Sequence, residues 1–152
     1  MVKGLGIDIT SIERITQLVE RYDRETLTFL FTAEEINRAQ TANHPHLFYT
    51  VCFASKEAVG KAFGTGLVGI GWQEIEAIIP ENCELREIGK NCNDKVYLDQ
   101  VLDGFKWEQS GHKLAIRLYG EASIRAKKWG FRKWLATWCH WDEHVLVQVL
   151  AQ

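Results

Sequence analysis

The hydrophobic period changes several times along the chain, and each change predicts an element. Residues 2–9 (VKGLGIDI) are short, apolar and punctuated by glycine, which predicts a buried strand ending at Asp8. A helix should follow at once. Thr10 and Glu13 have the spacing of a capping box, and Ile12, Ile15, Leu18, Val19 and Tyr22 fall on one helical face. Arg14, Arg21 and Arg24 fall largely elsewhere on this first helix. A second capping box, Thr32 with Glu35, opens another short helix that Asn43-His44-Pro45 interrupts. The longest helical pattern runs from about Leu47 to Phe63 (LFYTVCFASKEAVGKAF). Gly64 caps it, and Gly66, Gly69 and Gly71 keep the next stretch non-helical.

Further on, residues 72–79 (WQEIEAII) predict a strand with Ile75, Ala77 and Ile79 facing one way. Leu114, Ile116 and Leu118 alternate as a strand does. A helix from about Glu121 to Trp129 should end at Gly130. Two last strands, near 131–138 and 145–151, would flank a turn carrying Cys139, His140, Trp141 and Asp142. Residues 80–107, which hold Cys83 and Cys92, carry no readable period. With no internal repeat and no linker, the order strand, helices, strands predicts a single α+β domain rather than a βαβ alternation.

Composition narrows the class. With 152 residues, 46% hydrophobic and 25% charged, the chain is an ordinary globular domain, which excludes disordered, collagen-like and low-complexity classes. A net charge of −2 and a pI near 6.2 argue against coating nucleic acid or an anionic membrane. The four cysteines form no CxxC pair, and Asp8 interrupts the N-terminal apolar stretch before a signal core forms. No apolar run approaches the ~18 residues of a membrane span. A cytoplasmic, reduced protein is expected.

Candidate chemistry starts with Glu57 and Lys61, which share a helical face at i, i+4. An isolated pair of this kind is ordinarily a surface ion pair. Gly60 changes the picture, because glycine inside a helix is destabilising by about 1 kcal/mol and implies close approach of another backbone or a ligand. Asp8, at the end of an apolar segment, is either a helix-capping group or a metal ligand. Two carboxylates on separate elements, with a lysine one turn away, suit Mg²⁺ held against a polyphosphate. GTGLVG (64–69) has the letters of a dinucleotide fingerprint but follows a helix and precedes a strand, the reverse of what that fingerprint requires. Its glycines still let backbone amides approach a phosphate. His140 with His144, and His44 with His46, lack a third ligand at zinc spacing. The basic run Arg125, Lys127, Lys128, Arg132, Lys133 interleaves with Trp129 and Trp134, where core packing accounts for the aromatics better than nucleic acid does.

GLGIDITSIERI (4–15), FTAEE (31–35), FASKEAVGKAFGTG (53–66), the tryptophan-to-IE run at 72–76 and LYGEASIRAKKWG (118–130) occur in one order. Together they resemble the holo-acyl-carrier-protein synthase family, the short type of 4′-phosphopantetheinyl transferase, over residues 1–77 and 113–152. The resemblance implies that fold, and transfer of the phosphopantetheine arm of coenzyme A to a serine of an acyl carrier protein with release of adenosine 3′,5′-bisphosphate. It implies Asp8 and Glu57 as Mg²⁺ ligands and Lys61 as the group neutralising the pyrophosphate. Gly64, Thr65 and Gly66 match the loop approaching the cofactor, and His140 sits where the family's SxSH histidine contacts the coenzyme A side. Arg14, Arg21 and Arg24 match the basic face that docks the carrier protein, and a cytoplasmic homotrimer with shared sites is expected. The SxSH stretch reads TWCH here (137–140), and residues 78–112 form an atypical insertion relative to the family. The alternative is a non-catalytic relative that binds a carrier protein or coenzyme A as an assembly or regulatory module.

Overall fold

The computed structural model describes residues 1–80 and 112–152. The chain opens with β1 (Gly4–Ser11), α1 (Ile12–Arg21) and the short α2 (Arg24–Leu27), then α3 (Ala33–Thr41) and α4 (Pro45–Ala62). A 3₁₀ turn at Trp72–Glu74 leads into β2 (Ile75–Ile78); β3 (His112–Leu118), α5 (Gly120–Lys128), β4 (Trp134–Trp141) and β5 (His144–Ala151) complete the described residues. The strands form one antiparallel sheet in the order β1-β5-β4-β3-β2. The predicted α+β class is the observed one. The insertion expected around 78–112 lies, apart from its ends, outside the described residues, as do Cys83 and Cys92.

α4 organises the core. It is apolar on nearly all sides and packs across the inner face of the sheet, with α1 and α3 alongside. Side chains such as Val51 and Val59 are fully buried, each contributing about 1.5–3 kcal/mol over an exposed position. One charged residue breaks this pattern. Lys56 is buried, and its ammonium meets three acceptors: Glu35 Oε2 at 2.9 Å, the Trp72 carbonyl at 2.9 Å and the Ile75 carbonyl. The Glu35 carboxylate also accepts from the backbone amides of Thr32 (2.9 Å) and Ala77 (2.8 Å). Every donor is matched, which is what makes a buried ion pair tolerable. The pair bolts α4 to the start of α3 and to the edge of β2.

Local chemistry corrects two expected boundaries. The Thr32–Glu35 capping box forms as the spacing predicts. The Thr10–Glu13 box does not: β1 runs on through Thr10, and Ser11 caps α1 by accepting from the Arg14 amide at 3.3 Å. Thr10 is instead buried, with its hydroxyl engaged by Asp8. Arg24 is not on the first helix. α1 ends before Tyr22, and Asp23 caps a new helix by accepting from the Thr26 amide at 2.8 Å, so Arg24 opens α2.

Candidate functional site

Alternation along β1 turns Gly4, Gly6, Asp8 and Thr10 toward α4, and Leu5, Ile7 and Ile9 away from it. A Cβ added to Gly6 would lie 1.8 Å from the Ala58 carbonyl oxygen, and one on Gly4 would lie 2.5 Å from that of Ala62. Only glycine at both positions lets the strand settle on α4 at this distance. The close approach brings Asp8 to Lys61, with Oδ1 2.8 Å from Nζ. Lys61 also donates to the Ile7 carbonyl at 2.9 Å, and the Thr10 hydroxyl donates to Asp8 Oδ2 at 2.5 Å. Asp8 is thus oriented through both oxygens and caps nothing.

Glu57, half-buried one turn before Lys61, belongs to the same cluster. Burial pushes its pKa up, and the negative charge of Asp8 pushes it further, while Lys61 and Arg14 oppose the shift. Two hard-oxygen carboxylates that repel one another are a donor set for Mg²⁺, which characteristically takes one or two protein carboxylates and completes its shell with phosphate and water. The residues fit that ion. Among the described residues no group of three or more His, Cys, Asp or Glu side chains is arranged to hold a metal.

Past Lys61 the chain turns through three glycines with left-handed backbone: Gly64 (φ 71°), Gly66 (φ 63°) and Gly69 (φ 73°). Nothing lies within 4 Å of a Cβ placed on Gly64 or Gly66, so both face open space. The backbone approach that Gly60 implied is this loop folding back: a Cβ there would meet Leu67 Cδ2 at 3.0 Å and the Gly66 backbone at 3.2 Å.

His140 is not in a turn. The β4–β5 register runs to Trp141 opposite His144, leaving only Asp142 (φ 46°) and Glu143 to reverse the chain. His140 and Trp138 face α4, their rings 6.2 Å apart, while Cys139 points to the opposite face of the sheet. Burial lowers the His140 pKa, and His112 and His44 lower it further. The register sets His140 two strands from Thr10, about 10 Å away, so within one chain it stands apart from the Asp8–Lys61 cluster. Of the three arginines, Arg14 comes nearest that cluster, with its guanidinium 5.5 Å above the Phe53 ring and its charge felt by Glu57. Arg21 is exposed, and Arg24 donates to Asn37 at 2.6 Å. Trp129 and Trp134 pack against Phe63 and Phe131, leaving Lys127, Lys128, Arg132 and Lys133 exposed.

Sequence reasoning missed the Lys56–Glu35 pair, although a lysine inside an otherwise apolar helix was a visible signal. It also missed a cavity of about 370 Å³ beside that pair, lined by Glu34, Arg38, Glu76, Arg117 and Tyr119 among others. No helix among the described residues is long and apolar enough to cross a membrane.

The fold on which this cluster sits, a five-stranded antiparallel sheet around a central helix, has solved examples. The fold is similar to the crystal structure of holo-[acyl-carrier-protein] synthase from Neisseria meningitidis (TM-score 0.72, 23% identity, covering 100% of this chain and 99% of that one). It is also similar to the Helicobacter pylori holo-[acyl-carrier-protein] synthase solved in complex with coenzyme A (TM-score 0.65, 19% identity, 97% and 99%). In sequence, the holo-[acyl-carrier-protein] synthase of Bartonella tribocorum is 37% identical over 123 residues, 72% of this chain and 92% of that one. That of Natranaerobius thermophilus is 37% identical over 78 residues, where the match spans 51% of this chain and 62% of that protein's length. The family model for the 4′-phosphopantetheinyl transferase superfamily matches residues 4–116, and the chain belongs to that superfamily.

Proposed function

We propose that this protein transfers 4′-phosphopantetheine from coenzyme A to a serine hydroxyl of an acyl carrier protein, with adenosine 3′,5′-bisphosphate as the leaving group. The serine oxygen forms a bond to the phosphorus bearing the pantetheine arm, the bond from that phosphorus to the bridging pyrophosphate oxygen breaks, and the serine proton is released. The observation that carries this reading is the convergence of Asp8 and Glu57 with Lys61, beside an open glycine loop. Phosphoryl transfer depends on positioning and charge neutralisation more than on covalent help from the protein. Asp8 and Glu57 would hold Mg²⁺, which when bound supplies positive charge against the pyrophosphate. Lys61, whose side chain is half exposed (49%), offers a second, compact cation that would exchange Asp8 for phosphate. Gly64, Thr65 and Gly66 line the approach of coenzyme A.

Two surfaces support the partner and the assembly of this reading. Arg14 near the site, with Arg21 and Arg24 further along, offers positive charge suited to an acidic carrier protein, an attraction weakened by salt. On the far side of β1, Leu5, Ile7 and Ile9 are 54%, 40% and 56% exposed, an apolar stripe that copies of this chain would cover in a homotrimer. In that assembly His140, remote from Asp8 in its own chain, serves coenzyme A bound between neighbouring copies. The whole chain forms one such domain and works in the cytoplasm, where Cys52 remains a buried thiol.

The test is incubation with coenzyme A, Mg²⁺ and several apo-carrier proteins, followed by mass spectrometry. A gain of one phosphopantetheine on a carrier is expected, and no gain on any carrier overturns the reading.

A further inference from the structure

Arg125 entered the sequence reading only as one charge in a basic run, but its side chain leaves that run. From α5 it reaches the glycine loop, where Nη1 donates to Thr65 Oγ1 at 3.1 Å and Nη2 to the Val68 carbonyl at 2.8 Å. The guanidinium carbon lies 6.0 Å from the centre of the Phe63 ring. A single rigid fork therefore touches the residue before Gly64, the residue between Gly64 and Gly66, and the residue before Gly69. Three left-handed glycines give the loop little stiffness of its own; besides the packing of Leu67 on Gly60 and the Ile70 amide bond to the Leu67 carbonyl, that fork braces it.

The direction of the Thr65 bond matters. Its oxygen accepts from a permanently charged donor, which leaves the hydroxyl hydrogen to be given elsewhere. In this structure that hydrogen goes to the Gly66 carbonyl at 3.4 Å, a long bond at the outer limit that a better-placed acceptor can displace. A hydroxyl that already accepts from a cation is also a stronger donor.

We propose that Arg125 is a positioning residue for the phosphate-bearing substrate: it braces the glycine loop and holds the Thr65 oxygen as an acceptor, so that the hydroxyl can exchange its long bond to the Gly66 carbonyl for one to a phosphate oxygen of coenzyme A. The inference rests on the reading above that this loop faces coenzyme A. Arg125 itself touches no reacting atom.

The experiment measures transfer kinetics with coenzyme A and carrier protein varied separately, for R125M, R125K, T65V, T65S and the R125M/T65V double variant, with K61A as a control. R125M and T65V should each raise KM for coenzyme A about tenfold, the worth of one charge-assisted hydrogen bond. kcat should stay within about twofold and KM for the carrier should not move. The double variant should be no worse than the poorer single one, because both remove the same link. R125K should recover part of the loss and T65S nearly all of it. Additive losses in the double variant, or equal losses toward both substrates together with a lowered melting temperature, would show a merely structural tie and overturn the proposal. If K61A loses coenzyme A affinity while R125M is unaffected, the Arg125 assignment alone fails. If K61A retains wild-type affinity, the coenzyme A reading of the loop fails with it.

Discussion

Replacing Gly6 by alanine tests the geometry on which the site depends. The new Cβ would start 1.8 Å from the Ala58 carbonyl oxygen, and ordinary contact begins near 3.4 Å, so β1 must withdraw from α4 by about 1.6 Å. The obstacle is backbone, and no rotamer change relieves it. Over-packing of this kind destabilises by about 1–3 kcal/mol. The larger effect falls two residues along, where Asp8 Oδ1 sits 2.8 Å from Lys61; a withdrawal of that size breaks the contact. Misplacement of a reacting constellation by about 1 Å lowers rate by about 10²-fold. Gly6→Ala should therefore fold, melt several degrees lower and lose at least that factor in kcat/KM in the carrier mass-shift assay. Ala58→Gly added to it should restore nothing, because the clash is with the carbonyl and not the methyl. Wild-type kcat/KM with an unchanged melting temperature would refute the argument that glycine at this position creates the site.

Three further outcomes follow from the described geometry. Because burial and Asp8 raise the Glu57 pKa above its usual 4.5, the folded chain holds a proton that the unfolded chain has released, and this contribution to stability falls as pH rises through that window. Glu57→Gln should abolish transfer yet melt higher than wild type at pH 7 without metal, and the difference should vanish below about pH 4; a variant less stable than wild type at pH 7 contradicts this. Lys56→Met leaves Glu35 buried without its cation and should lower unfolding free energy by about 3–5 kcal/mol in denaturant titration, while a joint Lys56→Met, Glu35→Leu change should recover part of it; equal stability of single and joint variants would contradict the pairing. Ile7→Lys with Ile9→Lys should shift the protein to a smaller species in analytical ultracentrifugation, and an unchanged mass would remove the outer face of β1 as the assembly surface.

The parts of the site carried by regular periodicity were legible in the chain. Glu57 and Lys61 share a helical face by spacing alone, and the apolar segment before Asp8 made its carboxylate conspicuous. Competition between local rules was harder to read. Thr10 satisfied the letter of a capping box, but a buried carboxylate two residues back is the stronger claimant for its hydroxyl, and Ser11 was available to cap. The polar-looking Cys139-His140-Trp141-Asp142 stretch suggested a turn, yet pairing with β5 continues through Trp141. Lys56 stands beside the Glu57–Lys61 charge pair and Glu35 belongs to the capping box with Thr32, so neither draws notice to the other. Their partnership spans twenty-one positions and exists only once α3 lies against α4. Arg125 was hidden in the same way, inside a run of charges whose other members face solvent.

One strand carries two obligations. Along β1, even-numbered positions face α4 and the Asp8–Lys61 contact while odd-numbered ones face outward, on a backbone with no spare residue between them. Sliding the strand by a single position would exchange the two sets, burying isoleucine where the acid belongs and exposing the acid where the isoleucines were. Drift in one duty is therefore audited by the other, and an inserted or deleted residue ahead of Asp8 would be felt on both sides of the sheet at once.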